Sequence, residues 1–382
     1  MLASIIIPTH NRPSELLRTL AILGSLPLSP EEFEVIVVDN ASTLPAICDP
    51  ELTNGVRVRS QVMPRNIAAA ARNHGAMVAQ GQWLIMLDDD SSPIDTGFIA
   101  ALKAAEPDVA AIAAEIFLPA ANMPNWRVAT PEQLRAGPRE AGGLPEVFIG
   151  CGVAIRREVF RSLGGYDQTF DYYAEEYDLS ARMLAAGHRI VMDRRFCVLH
   201  RKVPGGRSMG RILARLVRNN AWVMRRYAPA PLVRGAVMHT ITRYAGIAHK
   251  ERALAGFALG AMGLALSLPR QKRSPLPDVL WERFTGLAHA RTVLKRAHEQ
   301  SPLGRAALVA PGKNANEVER ALRELNAEII GEPDQADTLV VATLSPGPML
   351  DALDRLRAQL PDRRVVAPWD VPAAKPSLVL AA

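Results

Sequence analysis

The 382 residues, 48% hydrophobic and 22% charged, have the composition of an ordinary globular protein, long enough for two or three domains with proper cores. The formal net charge of +6 conceals an asymmetry: residues 201–300 hold 19 Lys and Arg against four Asp and Glu, which leaves the rest of the chain acidic. Three well-separated cysteines, Cys48, Cys151 and Cys197, argue against a disulfide framework or a zinc site and fit a reducing compartment, and the N-terminus enters a strand pattern without a signal-peptide core, which predicts cytoplasmic residence.

Residues 2–8 read as a buried strand, followed by the loop Thr9, His10, Asn11, Arg12, Pro13 and an amphipathic helix over 14–23. A second strand over 35–38 closes on Asp39, Asn40, Ala41 and Ser42. A weaker strand is expected over 56–59, a small-residue helix over 68–79, and a buried strand from Trp83 to Leu87 that runs into Asp88, Asp89 and Asp90. Apolar runs alternating with helices predict an α/β fold, a mostly parallel sheet with helices on both faces.

Adjacent carboxylates repel, so the acidic triplet needs a counter-charge. At the carboxyl end of a strand a divalent cation serving a phosphate-bearing ligand meets that need, and a solvated acidic turn capping a helix is the alternative. Thr9, Asn11, Arg12, Asp39, Asn40 and the triplet come from three separate strands, yet all fall at carboxyl ends, where such sheets bind ligands. Carboxylates for ribose hydroxyls and metal, with an arginine for phosphate, make a nucleotide pocket. The chain has no glycine-rich dinucleotide fingerprint and no P-loop, which argues against a dehydrogenase or a P-loop NTPase.

Gly150, Cys151 and Gly152 precede an apolar strand, and Gly164, Gly165, Tyr166 and Asp167 make a tight turn. A helix opens near Glu175 and Glu176 and ends at Gly187. Acids in a first turn are favoured by the helix dipole, and Asp178 can pair with Arg182 one turn later. That explanation serves Asp178 better than two adjacent glutamates flanked by three tyrosines.

Together these segments resemble the family 2 glycosyltransferases of the GT-A fold. The resemblance rests on residues 4–12, 37–42, the Ala71, Arg72, Asn73, Gly75 run, Leu87 with the acidic triplet, the Gly164 to Asp167 turn and residues 175–179, all in the family's order. It implies transfer of a sugar, with inversion, from a nucleotide-diphosphate donor to a hydroxyl, assisted by Mn²⁺ or Mg²⁺ acting as a Lewis acid on the leaving diphosphate. By the family pattern Pro8, Thr9, Asn11, Arg12, Asp39, Asn40, Arg72, Asp88 and Asp89 form the nucleotide site. Asp90 coordinates the metal with Asp88 and His200, although a lone histidine also serves structural roles. The base that takes the acceptor proton falls at Glu176, where relatives usually carry Asp, so Glu175 and Asp178 stay candidates. Gly150, Cys151 and Tyr173 are expected on the acceptor side. Asp39 followed by Asn, Ala and Ser resembles the rhamnosyltransferase-like branch, which implies a dTDP- or UDP-sugar.

Residues 206–300 read as several helices dense in arginine, with Arg207, Arg211, Arg215 and Arg218 at helical spacing. An almost uncharged run over 253–268 contains Gly256, Gly260 and Gly263; it is shorter than the roughly 20 residues that span a bilayer, so it is a core helix or a membrane-surface helix. Anionic lipid headgroups or a phosphorylated acceptor suit this basic segment, and a solvated face without a partner is the alternative. Nucleic acid is not expected, because aromatic interleaving and a recognisable motif are both missing.

Residues 305–370 read as a separate small α/β module, with an interaction or oligomerisation role expected. Its loop Pro311, Gly312, Lys313, Asn314 is a phosphate cradle by composition but matches no phosphate-loop spacing. The expected division is a transferase domain over 1–205, a basic helical segment over 206–300 and the module over 301–382. The expected setting is the cytoplasm, with peripheral attachment to the inner face of the membrane, and the acceptor a glycan or lipid-linked glycan. Rival readings are a nucleotidyltransferase sharing the sheet, or a non-catalytic nucleotide-sugar sensor or membrane scaffold. A pure binder has no need of the second carboxylate cluster.

Overall fold

The computed structural model describes residues 1–203 and 208–371. The α/β expectation holds. In chain order the first part runs β1 (Ala3–Thr9), α1 (Pro13–Ser25), β2 (Phe33–Asp39), β3 (Arg57–Val62), α2 (Ala71–Val78), β4 (Trp83–Met86), β5 (Ser91–Pro93), α3 (Gly97–Lys103), β6 (Val109–Phe117), α4 (Pro131–Leu134), β7 (Val153–Arg156), α5 (Arg157–Ser162), α6 (Glu175–Ala185) and β8 (Arg189–His200). These strands form one eight-stranded sheet in the order β3-β2-β1-β4-β7-β6-β8-β5. β1 pairs in parallel with β2 and β4, β2 with β3, and β6 with β8. β7 runs antiparallel between β4 and β6, and β5 runs antiparallel on β8.

The period-two alternation of a strand explains why the sheet is buried on both faces. Ile5, Ile7, Val35 and Val37 pack with Leu16, Leu20 and Leu23 of α1 and Phe98 of α3. Their neighbours Ile6, Ile36 and Val38 point the other way, onto α2, α5 and α6 through Ala76, Phe160 and Leu179. The sheet's carboxyl edge is left to the polar loops.

Two differences from the sequence reading bear on the site. β4 stops at Met86, so the triplet occupies a tight turn into β5, whose Ser91 pairs with His200 at the end of β8. The 68–79 segment begins as a 3₁₀ turn over Ala68–Ala70 and becomes α-helical only from Ala71.

Beyond β8 come α7 (Met209–Tyr227), α8 (Val233–Lys250), α9 (Leu254–Ser267), α10 (Asp278–Thr285) and α11 (Leu287–Gln300). β9 (Arg305–Val309), α12 (Ala315–Glu324), β10 (Glu328–Ile330), β11 (Thr338–Val341), α13 (Pro346–Gln359) and β12 (Arg364–Val366) complete the chain with a four-stranded parallel sheet ordered β10-β9-β11-β12. The expected Arg207 and residues 372–382 lie outside the described residues.

This last unit is not free-standing. Trp222, Trp281, Phe284, Leu294, Val318 and Leu353 belong to one continuous core, which also takes in Phe170 from the first sheet's loops. Arg139 Nη1 meets Asp351 at 2.7 Å, and the Ser345 hydroxyl donates to the Gly142 carbonyl at 2.6 Å.

The uncharged run proves to be α9. Gly256 and Gly260 let it lie against the backbone of Gly210 and Ala214 on α7, where a Cβ would fall within 2.2 to 2.4 Å of a carbonyl oxygen. Its opposite face carries Leu254, Leu259, Met262 and Leu266 into solvent. Among the described residues no helix is long and apolar enough to cross a membrane.

Candidate active site

The turn after β4 folds back beneath the loop that follows β1. Thr9 Oγ1 donates to Asp89 Oδ2 at 2.9 Å, and Arg12 reaches Asp89 and Asp90 at 2.8 and 2.7 Å. Arg72 of α2, itself buried, pairs with Asp88. The triplet's charge is therefore met within the chain by two arginines, and Arg12, expected on a donor phosphate, spends its guanidinium on this pairing. Burial, with like charge from Asp88 and Asp90, pushes Asp89 up to about 7 against the pull of Arg12 and Thr9. Asp88 keeps 35% of its side chain exposed, whereas Asp90 is fully buried.

Pairing of β5 with β8 brings His200 to Asp90. Its Nε2 lies 3.4 Å from Asp90 Oδ1, and its Nδ1 lies 3.0 Å from Glu140 Oε2 and 3.6 Å from Cys151 Sγ. Asp90 Oδ1 and His200 Nε2 are buried without a hydrogen-bond partner, and they face each other. Asp88, Cys151 and His200 can also bring one ligand atom each within 4.8 Å of one another. Carboxylate and imidazole donors suit Mn²⁺ or Mg²⁺, so the residues present fit a divalent cation. Cys151, expected on the acceptor side, stands in this corner instead; burial keeps its thiol protonated, which makes it a weak ligand for a hard cation. Burial opposes protonation of His200, but Cys151, Asp90 and Glu140 outweigh it and hold the imidazole well above its ordinary range.

The second carboxylate cluster opens α6. Glu176 is partly exposed and accepts the Gly150 N–H at 3.4 Å, while Glu175 is buried with Oε2 unpartnered. Burial raises both carboxyls, and the Glu176 charge raises Glu175 further. Arg72 pairs with Asp88 and lies close enough to Glu175 and Glu176 for their charges to act on it.

The approach to α6 is strained. Asp171, Tyr173 and Ala174 have φ of 59°, 74° and 70°, a region L-residues seldom occupy, and Ala174 caps the helix without a side-chain bond. Asn219 of α7 holds this loop, its buried amide donating to the carbonyls of Phe170, Tyr172 and Tyr173 at 2.7 to 2.9 Å. The Gly165 turn is held in the same manner by Asn73, which exchanges two hydrogen bonds with the Tyr166 backbone. At φ 70° a Cβ on Gly165 would also meet Asn73 Oδ1 at 2.5 Å, so only glycine fits there.

The remaining expected residues are placed as follows. Asp178, a catalytic candidate by sequence, has both oxygens engaged by Arg226, Tyr227 and Arg182 at 2.7 to 2.9 Å and is 1% exposed; no oxygen is left for an acceptor hydroxyl. It anchors α6 to α7. Asp39 accepts the N–H groups of Ser42 and Ala46, and Asn40 bonds Ile67 N–H and the Ala68 carbonyl. Both therefore shape the loops after β2 and β3. Asn11 Oδ1 accepts from Thr43 N–H, Pro8 sits at the end of β1, and the Tyr173 carbonyl belongs to the clamped loop. Sequence reasoning missed Glu140 and assigned no role to Asn73 or Asn219, because the roles of all three depend on contacts across 46 to 93 residues of chain.

Residues 4–164 match the model of glycosyl transferase family 2, and residues 141–268 match that of glycosyl transferase family 21. An O-antigen biosynthesis protein, RfbC, of Myxococcus xanthus is 29% identical over 231 residues, covering 54% of this chain and 18% of that protein. An uncharacterised glycosyltransferase of Haemophilus influenzae is 27% identical over 212 residues, covering 52% of this chain and 69% of its own length. The chain thus spans under a fifth of the Myxococcus relative. Among solved structures, a mannosyltransferase from Pyrobaculum calidifontis in complex with GDP-Man and Mn²⁺ is similar at 21% identity, with a TM-score of 0.43 over 70% of this chain and 80% of that one.

Proposed function

We propose that this chain, whose residues 4–164 match the model of glycosyl transferase family 2, is a glycosyltransferase of that family and moves a sugar, with inversion, from a UDP- or dTDP-sugar to a hydroxyl of a cell-surface glycan or glycolipid. Thr9, Arg12, Arg72, Asp88 and Asp89 line the nucleotide side. Asp90, Asp88 and His200 hold Mn²⁺ or Mg²⁺, which when bound neutralises charge on the leaving diphosphate. Glu176 takes the proton of the attacking hydroxyl, and Glu175 beside it stays protonated. The observation that carries this reading is Arg72, which pairs with Asp88 of the triplet and feels the charge of Glu175 and Glu176 at the start of α6. A binder of nucleotide sugars needs the first cluster only, and the similarity to an O-antigen biosynthesis protein supports a cell-surface product.

We also place residues 1–205 as the transferase domain. The protein works at an anionic membrane surface through the basic helices, at the cytoplasmic face. A panel of nucleotide sugars, each with and without Mn²⁺, tests the reading through release of nucleoside diphosphate. One donor turned over only with metal is the expected result; release of inorganic diphosphate, or no turnover with any donor, overturns it.

A further inference from the structure

A cavity of about 370 Å³ opens between α8, α10 and the start of α12, with Tyr177 of α6 in its wall. Its size falls within the roughly 300–1,000 Å³ of small-ligand sites. Its wall carries three aromatic side chains, Tyr177, Trp281 and Tyr244, and three cationic ones, Arg243, Lys313 and Arg320. Lys313 belongs to the Pro311 to Asn314 loop, which the transferase reading leaves without a role.

The cationic lining is undercompensated. Arg320 pairs with Glu324 and Glu282 at 3.2 and 3.7 Å, but neither Arg243 nor Lys313 has a carboxylate within ion-pair distance among the described residues. Arg243 lies over the Tyr244 ring, and Lys313 lies 4.0 Å from the centre of the Tyr177 ring and donates to its hydroxyl. The lining carboxyl of Glu317 is raised by burial against the pull of Arg320, and no ion pair joins it to Arg243 or Lys313. Burial and the nearby charge of Arg243 lower Lys313 against a weaker pull from Glu176, so positive charge in this lining is costly unless an anion joins it. An oxyanion there restores the balance with charge-assisted hydrogen bonds.

We propose that this cavity binds the phosphate or diphosphate of the acceptor, so that the module after α11 completes the acceptor site. This rests on the transferase reading, which places Glu176, one residue before Tyr177, at the acceptor hydroxyl. The shared chemistry is a phosphate ester, carried either on an apolar lipid lying along Trp281 or on a soluble sugar phosphate.

The test is calorimetric titration of the full chain with inorganic diphosphate and with farnesyl diphosphate, UDP and Mg²⁺ being present to occupy the nucleotide side. Arg243→Ala/Lys313→Ala is expected to weaken both ligands at least tenfold, while Arg357→Ala, which removes an exposed charge on α13, changes nothing. Unchanged UDP binding in the double variant establishes that it is folded, and Arg243→Gln repeats the measurement with less loss of volume. Tighter farnesyl than inorganic diphosphate binding, with the gain lost in Trp281→Ala, assigns a lipid-linked acceptor; equal binding assigns a soluble one. Diphosphate that fails to bind, or binds the double variant as well as the parent, overturns the proposal. Nucleotide binding and turnover without a diphosphate response removes this site alone, whereas a diphosphate response without turnover of any nucleotide sugar removes the transferase reading and leaves the anion site.

Discussion

Asn219 donates its side-chain amide to the carbonyl of Tyr173 at 2.8 Å, and through it α7 holds the positive-φ loop that aims the first turn of α6. The same amide nitrogen also lies within hydrogen-bond distance of the carbonyls of Phe170 and Tyr172, so its two N–H groups are shared among three backbone acceptors of the strained loop. Asn219→Leu keeps the volume and removes the donor. It is expected to cost about 1–3 kcal/mol of stability, seen in denaturant unfolding, and to lower turnover with little change in donor affinity. A variant with full turnover would show that the loop's position does not matter to catalysis.

Glu176 and Asp178 lie two residues apart on α6 and should fail in different ways. Glu176→Gln removes a partly exposed carboxylate with one weak backbone contact, so the fold is expected to survive while turnover drops by about 10²- to 10⁴-fold. Asp178→Asn breaks a buried pair with Arg226 and is expected to cost about 3–5 kcal/mol of stability. Unfolding curves and donor titrations on both variants separate the two effects. If Glu176→Gln unfolds and Asp178→Asn merely slows turnover, the assignment is reversed.

The pH profile follows from the same glutamate. Burial raises the Glu176 carboxyl, and Asp88 adds to the shift, so the proton is retained above the ordinary range of about 4.3. A base acts when deprotonated. Turnover should therefore climb by about tenfold per pH unit on the acid side and level off above the raised value. The stability contribution has the opposite sign: the fold favours the neutral carboxyl, so this contribution is present below the unfolded-state value and is lost as pH rises through the raised one. Glu176→Gln should abolish the acid limb of turnover; an identical limb in the variant would assign it to another group.

Much of the polar cluster at the sheet's carboxyl edge was legible in the sequence because it sits at strand ends, and strands announce themselves by apolar runs. Thr9, Arg12 and the triplet are local signals of this kind. The counter-charges were not legible. That Arg12 and Arg72 neutralise the triplet, and that Glu140 and Cys151 flank His200, follow from strand order, which places β5 on β8 and β7 beside β4. Asp178 was visible as a helix-dipole acid pairing with Arg182, but its partners Arg226 and Tyr227 lie 48 and 49 residues on. The module was visible as an α/β pattern; its share in one core with α7, α10 and α11 was not, since apolar residues do not reveal which face they meet.

Glu140 gives a test of the metal corner away from the triplet itself. Its Oε2 meets His200 Nδ1 at 3.0 Å and its Oε1 meets Lys202 at 3.0 Å, so it orients the ring whose Nε2 faces Asp90. A carboxylate behind a ligating histidine typically changes metal affinity by about 10- to 100-fold. Glu140→Gln should weaken Mn²⁺ binding by that order, measured by direct titration, while metal-free nucleotide binding stays as it was. Unaltered Mn²⁺ affinity would remove His200 from the ligand set.

The outer face of α9 carries the membrane reading. Packing of Gly256 and Gly260 on α7 fixes the helix's rotation and so determines which side chains face out: Leu259, Met262 and Leu266 are 64 to 71% exposed. Exposed Lys250, Arg252, Arg270 and Lys272 stand near its two ends, which gives an apolar strip between basic groups, the arrangement that suits an anionic bilayer surface. Each Lys or Arg near such a surface contributes about 1 kcal/mol at physiological salt. The protein should therefore sediment with phosphatidylglycerol vesicles and be released from them by high salt. Leu259→Ser/Met262→Ser/Leu266→Ser should stay in the supernatant with its unfolding transition unchanged, because none of the three side chains is buried. Equal sedimentation of parent and triple variant, or none by the parent at low salt, would leave α9 without a role at the membrane.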